Sequence, residues 1–116
     1  MITNDNLLDI VFSLPLVEEM PHFDKSSYRI KKKIFLTHNK KENRICVKLN
    51  EADQYAFCAF DKSIIYPVPN KWGKQGWTLI NLAKVELETL KDAIVTSYCH
   101  VAPNKIAKEY IDLKCK

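Results

Sequence analysis

The stretch YRIKKKIFLTHNKKENRICVKL, Tyr28 to Leu49, decides the fold. Three short runs in it alternate in character: Tyr28-Arg29-Ile30-Lys31, Lys33-Ile34-Phe35-Leu36-Thr37 and Arg44-Ile45-Cys46-Val47-Lys48-Leu49. A two-residue period puts successive side chains on opposite faces of a strand, so the pattern predicts β-structure rather than helix. His38 to Asn43 is polar and supplies a turn. The connections are too short for parallel crossovers, which makes the three runs an antiparallel meander. Strict alternation turns Tyr28, Ile30, Ile34, Leu36, Ile45, Val47 and Leu49 toward a core. It sends Arg29, Lys31, Lys33, Phe35, Arg44, Cys46 and Lys48 to the other face.

Upstream, Leu7, Leu8, Ile10, Val11 and Leu14 recur at helical spacing after a capping Asn4, and Pro15 ends the pattern, so a helix is expected over 5–14. Leu16 to Lys25 has no period and reads as a structured connector. Downstream, Asn50 caps a second helix running to about Asp61, with Ala52, Tyr55, Ala56 and Ala59 as its inward side. Ser63-Ile64-Ile65-Tyr66 and Trp77-Thr78-Leu79-Ile80 read as strands. Leu87, Leu90, Ile94, Tyr98 and Val101 mark the longest helix, interrupted by Pro103, and a short amphipathic helix is expected over 104–116. The order predicts one α+β domain over 1–116, a two-layer fold with a five-stranded, mainly antiparallel sheet and helices on one face.

Composition bounds the function. The 116 residues are 47% apolar, enough for a core without stapling. Apolar runs are far shorter than the roughly 20 residues of a membrane helix. The start Met1-Ile2-Thr3-Asn4-Asp5 lacks a secretion signal, so a cytoplasmic protein without membrane partners is expected. The four cysteines are widely and unevenly spaced and read as free thiols. With two glycines there is no phosphate-binding glycine loop, and neither a cofactor nor a metal is expected. The net charge of +4 is unevenly spread. Asp5, Asp9, Glu18, Glu19 and Asp24 precede a centre carrying Lys25, Arg29, Lys31, Lys32, Lys33, Lys40, Lys41, Arg44 and Lys48 against Glu42 alone.

Several blocks stand in fixed order: Leu14-Pro15-Leu16-Val17-Glu18-Glu19, Pro21-His22-Phe23, Tyr28-Arg29, Lys33-Ile34-Phe35, Lys48-Leu49, Tyr66-Pro67, Trp72-Gly73, Gly76-Trp77-Thr78 and Val101-Ala102-Pro103. Together they make the chain resemble the MmcQ/YjbR family over about residues 5–103. The resemblance implies a fold likened to frataxin-type and secretion-chaperone-type α/β sandwiches. It also carries the label of DNA-binding protein, given to members on structural analogy.

The leading functional expectation is a non-enzymatic binding module that contacts nucleic acid through the basic face. Arg29, Lys31, Lys33 and Lys48 would neutralise phosphates, Phe35 and Trp72 would stack on bases, and Lys71 and Lys74 add charge beside Trp72. The bland reading of that face is the solvated side of a half-buried sheet. Trp77, which opens a strand, reads as a structural anchor. A protein-interaction or homodimerisation domain is the alternative, since an open sheet can pair with another. An enzyme is third, resting on Glu18 with His22, although no nucleophile accompanies them and no catalytic residue is assigned.

Overall fold

The computed structural model describes residues 2–108. In chain order these are α1 (Asn4–Phe12), β1 (Glu18–His22), β2 (Lys25–Ile30), β3 (Lys33–Asn39), β4 (Arg44–Lys48), α2 (Glu51–Cys58), β5 (Ile65–Pro67), α3 (Lys71–Lys74), β6 (Trp77–Asn81) and α4 (Leu87–Val101). The strands form one antiparallel sheet in the order β1-β2-β3-β4-β6-β5. Its core face is covered chiefly by α4, which lies on β3 and β4 and packs against α1. Leu7, Ile10 and Val11 of α1 and Leu90, Ala93, Ile94 and Tyr98 of α4 meet Tyr28, Ile30, Leu36, Ile45, Val47 and Ile80 there. The fold is α+β, as the alternating runs require. Among the described residues no helix is long and apolar enough to cross a membrane.

The sheet has six strands rather than five. The extra one is β1, expected as a connector, which pairs with β2 from Glu18 opposite Arg29 to His22 opposite Lys25. As an edge strand exposed from Glu18 to Pro21, it never alternates between core and water and leaves no period to read. Helix starts follow local side chains. Thr3, not Asn4, caps α1, in a reciprocal pair with Asn6. Asn50 caps α2 by accepting from the Asp53 amide at 2.8 Å. The inward side of α2 is Gln54, Phe57 and Cys58; Tyr55 is 79% exposed. A helical turn begins at residue 104 and places Ala107 against the core, and the remainder of the expected last helix lies outside the described residues.

The most consequential departure is a β-bulge in β3. Tyr28 faces Leu36 and Arg29 faces Ile34, which leaves Phe35 as the extra residue. Phe35 and Leu36 are therefore both buried, while Ile34 emerges half-exposed on the opposite face. Phe35 sits edge-on to Tyr98, ring centroids 5.7 Å apart. The bulge interrupts the ladder, and Ser97 of α4 repairs it. Its hydroxyl donates to the Phe35 carbonyl at 2.9 Å and accepts from the Lys48 amide at 3.1 Å.

Candidate functional site

With the bulge in place, the solvent face is set by register. It carries Met20 and His22 from β1, Lys25 and Arg29 from β2, and Ile34 and Thr37 from β3. Cys46 and Lys48 of β4 and Trp77 of β6 continue it. A cleft of about 460 Å³ crosses this face, lined by His22, Lys25, Ile34, Thr37, Cys46, Val68, Trp72 and Trp77. It touches five of the six strands and, through Val68, the flank of the sixth, β5, and ends against α3.

The wall bearing Trp72 exists because of two glycines. A Cβ on Gly73 would lie 2.0 Å from the Val68 carbonyl oxygen, and one on Gly76 1.9 Å from that of Leu49. Gly76 also has a φ of +105°, open to few residues with side chains. Asn70 starts α3 by accepting from the Trp72 amide at 2.8 Å. Gln54 of α2 donates to the Gly73 carbonyl at 2.9 Å and to the Thr78 hydroxyl at 3.1 Å, tying the short helix to the sheet. The result holds Trp72 at 50% exposure beside the half-buried Trp77. Lys71 lies 5.9 Å from the Trp72 ring centroid and Lys48 5.4 Å from that of Trp77. Lys48 also donates from Nζ to the Gln75 carbonyl, so it binds α3 to β4 as well as charging the wall.

The residues expected to contact nucleic acid are divided by this geometry. Lys48, Lys71 and Trp72 gather at the α3 end of the cleft, with exposed Lys74 on the same helix. Arg29 is on the solvent face but outside the cleft lining, its Nε donating to Ser27 Oγ at 3.2 Å. Three placements are corrected. Phe35 is 0% exposed in the core and has no surface to stack on, because the bulge reverses the alternation. Lys31 is not on a strand: with Lys32 it forms the β2–β3 turn, both at positive φ, as a type I′ turn requires. Lys33 is paired with Ile30, at the sheet margin on the core side. Glu18 and His22 stand four residues apart on one strand, about 13 Å at 3.3 Å per residue, and do not form a pair.

Sequence reasoning passed over Lys25, Ile34, Thr37, Cys46 and Val68 as cleft residues. Ile34 faces outward only because of the bulge, and Lys25 enters only because β1 is a strand. The Cys46 thiol is pushed up to about 11 by burial, partly offset by Lys25, so it is a neutral, weakly polar lining group. The cleft thus joins flat aromatic surface to lysine cations, the combination that grips planar anionic ligands.

Comparison with known proteins agrees with the architecture. The crystal structure of Deinococcus radiodurans protein DR2400, which carries the family-model domain DUF419, is similar to this chain with a TM-score of 0.75. The likeness covers 85% of this chain and 78% of that one at 19% identity, a level that shows a shared fold. No curated protein gives a significant sequence match. The YjbR family model matches residues 12–100, from the end of α1 through nearly all of α4. That span contains the whole sheet and every residue of the cleft, and the chain belongs to the YjbR family.

Proposed function

We propose that this protein is a non-enzymatic binding module that holds single-stranded nucleic acid in the open-face cleft. The observation that carries this reading is Trp72, half-exposed at one end of the cleft with Lys71 against its ring, Lys48 over the neighbouring Trp77 and Lys25 in the lining at the far end. A large apolar ring left in water beside cations contributes little to folding, whereas an unpaired base offers a flat partner and its phosphates the opposite charge. Duplexes present stacked bases only at their ends, so single strands are favoured. The free thiols Cys46 and Cys58 suit a reducing compartment, and we place the activity in the cytoplasm.

The test is a titration of tryptophan emission with single-stranded DNA, single-stranded RNA and duplex DNA at 50 and 200 mM salt. Single strands should quench the emission. With three phosphate contacts, a slope of about −0.7 per contact predicts a roughly 20-fold loss of affinity across that salt range. Lys25→Ala with Lys71→Ala should shrink the salt dependence toward that of one contact. Quenching insensitive to salt, or no binding by any of the three at 50 mM, overturns the reading.

A further inference from the structure

The β1–β2 hairpin ends in a residue that the fold itself does not favour. His22 pairs with Lys25, so the loop is Phe23-Asp24 alone, and Phe23 adopts a φ of +58°. A bulky side chain in the left-handed region is strained, and glycine or asparagine is the ordinary solution at such a turn. Burial does not compensate here. Phe23 is 93% exposed, the most exposed large apolar side chain among the described residues. Its ring meets that of His22 edge-on at 4.9 Å, and His22 lines the cleft. The hairpin tip therefore leans to the cleft side of the sheet, with Lys25 at its base.

We infer that Phe23 is a second stacking platform for the ligand of the cleft, opposite Trp72, and that the two together grip a single-stranded segment about five or six nucleotides long. The length follows from the topology. From β1 to β6 the sheet makes four inter-strand steps, about 19 Å at roughly 4.8 Å each, which corresponds to five or six bases kept stacked between the two rings at about the 3.4 Å rise of a duplex strand. The occupant is an anionic chain of planar units because the two aromatic ends are joined by a lined cleft and flanked by Lys25, Lys48 and Lys71. A protein partner has no need for cations set against both tryptophans. The inference rests on the proposed nucleic-acid function and extends the site to a residue on a different element.

The experiment measures affinities of oligothymidylates and oligouridylates from two to twelve nucleotides for the wild type, Phe23→Gly and Phe23→Trp at 50 mM salt. Affinity should climb with length to about six nucleotides and then level off, and the DNA and RNA series show which backbone is preferred. Phe23→Gly should bind the hexamer about 10-fold more weakly, the worth of one lost stacking contact, while binding the dinucleotide as the wild type does. Glycine relieves the backbone at this position, so the variant's Tm should not fall, and Phe23→Trp should restore hexamer affinity. Equal hexamer affinity for Phe23→Gly and wild type overturns the role of Phe23 and leaves the cleft reading standing. Failure of the wild type to bind any oligonucleotide overturns both. A concentration-dependent dimer in sedimentation that Phe23→Gly abolishes, with hexamer affinity unchanged, assigns the tip to self-association instead.

Discussion

His38 is 4% exposed on the core side of β3, and its Nδ1 has no hydrogen-bond partner among the described residues. Burial lowers its pKa from 6.5, the nearby charge of Lys40 adds to that, and Glu19 opposes it. Above about pH 6.5 neither folded nor unfolded chain holds the proton, and nothing is lost. As the pH drops below that value the unfolded chain takes up the proton first, so stability declines until the folded-state pKa is reached. His38→Leu removes that component. Denaturant melts at pH 7 and pH 5 should show a smaller acid loss than in the wild type, and an unchanged loss would place the titration elsewhere. Tyr28 shows the same rule with opposite charge: burial, then the charge of Glu19 and a 3.3 Å hydrogen bond to it, push its hydroxyl up to about 12. At this scale sequence was a fair guide to type and a poor one to direction. Tyr28, Ile30, Leu36, Ile45 and Val47 are buried as alternation requires, while Phe35 and Ile34 exchange places because alternation says nothing about where a strand takes an extra residue.

The elements legible in advance are those with an unambiguous period. α1 and α4 bury a stripe, and β2, β3 and β4 alternate on either side of the bulge, so each was readable. β1 and α3 were not. One is an edge strand in water, and the other is a four-residue turn of helix whose position depends on Gly73 meeting Val68 across the chain. The bulge belongs to this scale too, because it lies in the β2–β3 pairing while the groups beside it are satisfied from β4 and α4. Ser97 satisfies two backbone groups that the interrupted ladder leaves over. Ser97→Ala strips both of their partner in a buried setting, and each such group costs about 1–3 kcal/mol. We expect a loss of about 2–3 kcal/mol in urea unfolding, far above the few tenths typical of an exposed serine, with stronger amide exchange at Lys48. A loss below about 0.5 kcal/mol, the ordinary spread among surface substitutions, would show that the strands re-pair without it.

The fold class was visible in the whole sequence because short connections force an antiparallel sheet and the two long amphipathic helices need one face of it. The order of the last three strands was not, since β6 enters between β4 and β5 through contacts distant in sequence. The same distance separates the parts of the candidate site. Trp72 and its lysines stood out as a block, but their joining to His22 and Lys25 across the sheet depends on β1, the bulge and the two glycines at once. The central claim is thus about place as much as ligand: a single strand lies across the open face from the β1–β2 hairpin to α3. Amide chemical-shift mapping of the labelled protein with a hexathymidylate tests it most directly. The account predicts perturbations concentrated at His22, Phe23, Lys25, Thr37, Cys46, Trp72 and Trp77, including the Trp72 indole N–H, with α1 and α4 unmoved. Perturbations centred on α1, α2 or α4, or none at millimolar oligonucleotide, would contradict it.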